Sequence, residues 1–302
     1  MARIGLSIFD FQARYGDKRA IEIAAQLGVD AVDFSTAGRN YDITNPDSLY
    51  SRSDEELCEY LSDVRAYAEK LGVEIASTHG RLRLTLLDDE KDRLCMEMAR
   101  KDLLAAKALG ASVTVMHGVQ TNVLGPNVSA EYMRDLHFRK FNEVLGFAKK
   151  YGVKLASETL GDAPNFGCVD FFADPDEFLA MYERICADGD NADWFGFCID
   201  TGHIRKAERY GTPGVAEFIR RVGKGRILCL HLHDNYGMSD QHLPPLTGSI
   251  DWNSVFSALD EVGYDGIYNM EAVFNCFKEG FEMQTAKFAV DLLRFALERK
   301  QK

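Results

Sequence analysis

The sequence predicts an α/β protein built as a single closed (β/α)8 barrel. Three observations predict it. Short β-prone apolar runs alternate with longer amphipathic helical segments along the whole chain, which favours a parallel sheet. The alternation repeats eight times, the count of a closed barrel. No GxGxxG or Walker pattern is present, although the alternative, an open doubly wound sheet, usually carries a Gly-rich phosphate turn after its first strand. There is no linker or low-complexity segment, so residues 1–302 are read as one domain.

The elements follow in order. Ile4 to Phe9 is the first strand, and Asp17 to Leu27 the first helix, with Gly28 as its stop. Ala31 to Ser35 is the second strand. Ser53-Asp54-Glu55-Glu56 is a capping-box start for a helix that reaches Leu71 and stops at Gly72. Val73 to Thr78 is the third strand, followed by a helix from Asp88 to Leu109. Ser112 to Met116 is the fourth strand, followed by a helix from Ser129 to Tyr151. Val153 to Ser157 is the fifth, and Asp174-Pro175 opens a helix to about Cys186, with Pro at the first helical position. Phe195 to Ile199 is the sixth, and Thr212-Pro213 opens a helix ending near Gly223. Ile227 to Leu232 is the seventh, with a helix from Asp251 to Val262. Gly266 to Met270 is the eighth, with a last helix from Phe281 to Arg299.

Composition narrows the function classes. A 302-residue chain with 46% hydrophobic and 27% charged residues is ordinary and can bury a substantial core. The net charge of −12 and the lack of a Lys/Arg run argue against a polyanion partner. The seven cysteines are Cys58, Cys95, Cys168, Cys186, Cys198, Cys229 and Cys276. They are odd in number and contain no CxxC, which suits a reducing compartment. Cys198 and Cys229 lie in apolar strand patterns and are expected to be buried thiols. The start, MARIGLSIFDF, lacks a signal-peptide layout, and no apolar run reaches about 18 residues. The expected location is cytoplasmic, with no membrane partner.

The most informative stretch is Ile227 to Asp251. Its alternation puts His231 and His233 on one strand face and Leu230, Leu232 and Asp234 on the other. In a barrel of this kind, catalytic residues sit at the carboxyl ends of the strands. His79, His117, Glu158, Asp200, His231 and Glu271 each fall at such an end, on six successive strands. One histidine there is usually a satisfied core residue. Six converging acids and imidazoles would repel or stay unsatisfied without a cation. A divalent metal resolves this, with Mn, Zn, Co, Fe or Mg all left open by the ligand types.

His203, three residues beyond Asp200 across a Gly turn, can face the same pocket. Asp240 and His242 add a carboxylate and an imidazole from the loop after strand seven. These three are read either as substrate contacts or as a second metal site. His233 either faces the barrel beside His231 or supports it from behind. His137 lies mid-helix among Arg134, Asp135 and Arg139 and is expected to be solvated.

Together these segments resemble the xylose isomerase-like TIM-barrel superfamily, which includes the sugar phosphate isomerases and epimerases, inositol-catabolism enzymes and endonuclease IV. The resemblance spans nearly the whole chain. It rests on THG at 78–80, HG at 117–118, SET at 157–159, DTGH at 200–203, HLHD at 231–234, DQH at 240–242, GSIDW at 248–252 and NME at 269–271. It implies a metal site of Glu158, Asp200, His231 and Glu271, with Glu158 and Glu271 also exchanging protons with substrate and His203 contacting substrate oxygens. Similarity to endonuclease IV implies further metals on His79, His117 and Glu158 and on His203, Asp240 and His242.

The first functional reading is therefore a metal-dependent sugar isomerase or epimerase. A polarised carbonyl acidifies the neighbouring C–H, a glutamate takes the proton, and an enediolate forms. Elimination from the same enediolate would give a dehydratase or lyase on a keto-sugar or keto-polyol. A second class is cleavage of DNA at apurinic sites, which the acidic composition disfavours. A third is a binding or assembly subunit without catalysis, which an intact ligand set disfavours. The loop Asn235-Tyr236-Gly237-Met238 has no Arg where ketose 3-epimerases usually place one, so the substrate stays open. Arg81, Arg83 and Arg205 lie near the expected mouth, Arg205 as a helix-surface residue. Phe9, Phe34, Phe166, Trp252 and Phe274 are candidates to stack on a sugar face. A homo-oligomer is implied by similarity alone.

Overall fold

A computed structural model describes residues 2–274 and 280–300; Cys276 lies outside them. Eight parallel strands form the barrel: β1 Ile4–Ser7, β2 Ala31–Ser35, β3 Glu74–His79, β4 Val113–Met116, β5 Lys154–Glu158, β6 Phe195–Asp200, β7 Ile227–His231 and β8 Tyr268–Met270. Each pairs with the next from β1 to β7, and β1 also pairs with β8, in the register Ile4 to Tyr268. Beyond the regular ladder, Leu232 bridges Met270, and the Leu232 and Glu271 amides donate to Asn269 and Leu232 carbonyls. This brings β7 against β8 and closes the cylinder.

Among the described residues, ten helices of seven or more residues surround it: α1 Phe9–Tyr15, α2 Asp17–Leu27, α3 Asp54–Leu71, α4 Asp89–Leu109, α5 Ala130–Tyr151, α6 Pro175–Cys186, α7 Thr201–Ala207, α8 Val215–Val222, α9 Trp252–Glu261 and α10 Glu282–Lys300. The Ser53/Glu56 capping box starts α3, and Gly72 ends it at φ +73, a conformation open to Gly without strain.

Several boundaries differ from the sequence reading. β1 stops at Ser7 because Ile8 is the N-cap and Phe9 the first residue of α1, so the apolar run from Ile4 to Phe9 spans the strand and the start of the helix. Gly202 is not in a turn: Asp200 caps α7 by accepting from the His203 amide, and Gly202 lies within that helix. Helix α8 starts at Val215, not at Thr212-Pro213. A two-residue hairpin, Asp162–Ala163 with Cys168–Val169, is too short to leave a periodic signal.

Strand alternation separates two layers of core. Leu155, Phe197, Ile199 and Leu230 face the helices in the large cluster. Val113, Val115, Ala156, Cys198 and Cys229 form a separate cluster of small side chains. Two residues further along the same faces come His117, Glu158, Asp200 and His231. Period two therefore places them at the mouth of the barrel interior. Cys198 and Cys229 are buried, as expected.

Candidate metal centre

The four groups at the centre are Glu158, Asp200, His231 and Glu271, all buried. Each offers one donor atom, and these atoms lie within 4.8 Å of one another. His231 Nδ1 lies 3.4 Å from Glu158 Oε1 and 3.3 Å from Glu271 Oε2. Neighbouring ligands at about 2.1 Å from a shared cation are roughly 3.0–3.4 Å apart, octahedral to tetrahedral. Glu158 Oε2 and both His231 ring nitrogens are buried without hydrogen-bond partners. Buried polar atoms that crowd together yet fail to bond one another are the donor set a cation would satisfy.

The DTGH segment explains how Asp200 is aimed. His233 Nε2 lies 2.9 and 3.0 Å from the two Asp200 oxygens. Thr201 Oγ1 donates to the His233 carbonyl and accepts from its amide, tying α7 to the end of β7. A Cβ at Gly202 would lie 1.9 Å from His233, so glycine leaves room for that ring. His233 therefore supports Asp200, and not His231 as the sequence reading had it. Asp234, on the other face, is structural: it accepts from Trp252 Nε1 at 2.6 Å and from the Ile250 amide, pinning the loop after β7. A Cβ at Gly248 would meet its carboxylate at 2.3 Å, which accounts for the glycine of GSIDW.

The remaining predicted residues flank the centre. His79 and His117 approach Glu158 Oε2 at 3.2 and 3.0 Å. Gln120 Nε2 donates to the Leu82 carbonyl and faces His117 Nδ1 at 3.0 Å, which orients that ring with Nε2 towards Glu158. His203 faces the Thr159 carbonyl through Nδ1 and Asp240 through Nε2, at 2.9 and 3.2 Å. His242 faces the Glu271 carbonyl through Nδ1 at 3.1 Å and stacks on His233 with ring centres 4.0 Å apart. His203, Asp240 and His242 also form a group close enough to share a cation. The buried ammonium of Lys206 lies 3.5 Å from Asp240 and 2.9 Å from Asp162.

Charge balance follows from this crowding. Burial raises the Glu158 carboxyl, but His117 and His231 outweigh it and hold it well below the usual range. Asp200 is held at about 2 against burial by His203 and His233. Burial lowers the His79 imidazole, and Glu158 and Glu271 bring it up to about 8. Burial likewise lowers His242, and Asp240 and Glu271 bring it to about 9. Glu158 and Asp200 thus favour the ionised form and His79 and His242 the protonated form, each held there by its oppositely charged neighbours.

A cavity of about 600 Å3 opens over the centre, lined by His79, His117, Glu158, His203 and Glu271 on one side and by residues following β1 and β2 on the other. Of the aromatic candidates only Phe9 lines it. Phe34, Trp252 and Phe274 are buried and Phe166 lies outside. Arg81 points away into a buried pair with Asp102 at 2.8 Å, and Arg205, on α7, pairs with Glu208 just beyond the end of that helix. His137 is the clear correction. It is buried, not solvated, with its ring 4.5 Å from Phe141 and 4.0 Å from Phe172, and burial lowers its imidazole to about 3. Asp135 and Arg139 sit on the opposite arc of α5, while Arg134, one turn earlier on the same side, reaches out to Glu177.

Sequence reasoning passed over Asp33 and Lys206. Asp33 is buried, accepts from Ser7 and Ser77, and lies 3.7 Å from His231 Nε2. A lone acid inside Ala31-Val32-Asp33-Phe34 was its signal. Lys206 gave none, because a lysine on a short helix usually faces water.

A family model described as xylose isomerase-like TIM barrel matches residues 18–288. An uncharacterized protein of Methanocaldococcus jannaschii is 30% identical over 215 residues, covering 70% of this chain and 68% of that one. The crystal structure of a D-tagatose 3-epimerase-like protein superposes with a TM-score of 0.73 at 24% identity, covering 99% of this chain and 98% of that one. The IOLI protein with a bound zinc atom superposes at 0.71 and 16% identity, covering 98% and 96%. Among the described residues, no helix is long and apolar enough to cross a membrane.

Proposed function

This chain belongs to the xylose isomerase-like TIM barrel family, and on that premise we propose that it is a divalent-metal-dependent isomerase or epimerase of a sugar or sugar derivative. The observation that carries the reading is the placement of Glu158 and Glu271 at 3.4 and 3.3 Å from the same His231 nitrogen. Glu158, Asp200, His231 and Glu271 would hold the cation. When bound, it supplies Lewis-acid polarisation of a substrate carbonyl, which acidifies the neighbouring C–H. One glutamate takes that proton and the other, or the same one, returns it. His79, His117 and His203 line the cavity and would be the residues nearest the substrate oxygens. The likeness to a D-tagatose 3-epimerase-like protein and to a zinc-bound fold neighbour supports this reading.

Elimination by a lyase would use the same residues and is separated from isomerisation by the product formed. The apurinic-site nuclease reading needs two further metals. His79, His117 and Glu158 are also close enough to share a cation, but against the reading stand the Lys206 ammonium already serving Asp240 and the net charge of −12. The test is elemental analysis of purified protein, then solvent-deuterium incorporation across a ketose panel before and after chelation. Stoichiometric Mn, Zn, Co, Fe or Mg and chelator-sensitive exchange support the proposal. Metal-free protein with undiminished exchange overturns it, and cleavage of an abasic oligonucleotide would establish the nuclease instead.

A further inference from the structure

The cavity is larger than a free sugar needs. It measures about 600 Å3, whereas a hexose at the density of an organic crystal occupies roughly 200 Å3. The wall over β1 and β2 contributes Phe9, Gln12, Asp17, Ala37 and Tyr41, joined by Leu82 from the loop after β3, and none of the acid–imidazole set.

Its buried polar groups, Gln12, Asp17 and Tyr41, are already committed. Gln12 Nε2 donates to Asp17 and to the Ser35 carbonyl, and its Oε1 accepts from the Ser35 amide. The Tyr41 hydroxyl donates to Asp17 at 2.7 Å, and Tyr60 donates to the same oxygen. Leu82, by contrast, lines the cavity while 46% exposed, and Phe9 is half-buried beside it in that lining. Hydroxyls of a second sugar would find partners on this wall at the partly exposed Ser35 hydroxyl and at exposed Arg39 and Asn40 on the rim. An apolar ring would be desolvated against Phe9, Tyr41 and Leu82 at no hydrogen-bonding cost.

We infer that the substrate is a keto-sugar bearing a ring-sized, predominantly apolar substituent, with the sugar over the acid–imidazole set and the substituent over β1 and β2. This rests on the isomerase or epimerase reading for the sugar half. A glycosidic substituent blocks the anomeric carbon, so the carbonyl of such a substrate lies on the ring.

The experiment uses the metal-loaded full chain and two probes, phenyl and methyl 3-keto-β-D-glucoside. Solvent-deuterium exchange should proceed with kcat/KM at least about tenfold higher for the phenyl compound. Leu82→Asp, at an exposed position that does not endanger folding, should bring that ratio towards one, and Phe9→Ala should do the same. Equal kcat/KM for the two probes, or a ratio that neither substitution moves, overturns the inference while leaving the isomerase reading intact. Calorimetric binding of phenyl and methyl β-D-glucoside gives a readout independent of turnover. If neither ketone exchanges but the phenyl compound binds tenfold tighter and Leu82→Asp removes the preference, the apolar subsite stands and the isomerase reading falls.

Discussion

His233 Nε2 lies within 3.0 Å of both Asp200 oxygens, and it does so because position 202, across the strand end, has no side chain. Alanine in place of glycine within a helix ordinarily stabilises by about 1 kcal/mol. At Gly202 the sign reverses, since the new Cβ would lie 1.9 Å from a fully buried ring. Gly202→Ala should cost about 1–3 kcal/mol in urea unfolding. By releasing Asp200 from its partner it should also weaken metal affinity by roughly 10–100-fold. Unchanged affinity would remove His233 from any role in aiming Asp200.

The two glutamates give the second prediction. Glu158→Gln and Glu271→Gln keep the side-chain volume and remove the base. Each should lower exchange by at least about a hundredfold. Exchange at the parental rate in either variant would strike that residue from the proton-transfer step.

How far the sequence carried is visible at these same positions. Strand alternation and helix stops located all eight barrel strands, because period two and Gly at C-termini are local signals. The strand-end acids and imidazoles were legible for the same reason: Ala156 to Glu158 and Cys198 to Asp200 share one face. What was not legible depended on where long-range packing put a side chain. His137 follows charged neighbours in sequence but packs on Phe172, which no local pattern could announce. Arg81 stood next to the mouth in sequence and turned inward to Asp102. Phe34 and Phe274 read as mouth aromatics and became core.

His137 gives the third prediction, a pH effect. Its folded imidazole titrates at about 3, below an unfolded value near 6.5. The native state therefore keeps it neutral, and between pH 6.5 and 3 the unfolded chain binds one more proton. Its contribution is complete above about pH 6.5 and is lost as the pH falls, amounting to about 2 kcal/mol at pH 5. Replacing it by His137→Leu should flatten the fall in stability between pH 7 and 5 by that amount, each protein being compared with itself at pH 7. Packing costs cancel in that comparison, so an unaltered slope would mean that His137 is protonated in the native state.

The Arg81–Asp102 pair gives the last. Asp102 is fully buried and accepts from Arg81 at 2.8 Å, from Tyr50 at 2.7 Å and from Thr36 at 2.9 Å. Arg81 is 7% exposed, and its guanidinium also donates to the Thr36 carbonyl. Removing one partner leaves the other charge uncompensated inside the protein, so Asp102→Ala should cost about 3–5 kcal/mol. Removing both charges avoids that penalty, and Arg81→Met with Asp102→Leu should recover most of the loss. The pair joins the loop after β2 to the loop after β3 and to α4, so it holds the side of the mouth that carries His79 and Leu82. Equal destabilisation by the single and the double variant would show that packing, and not an unpaired buried charge, sets the cost.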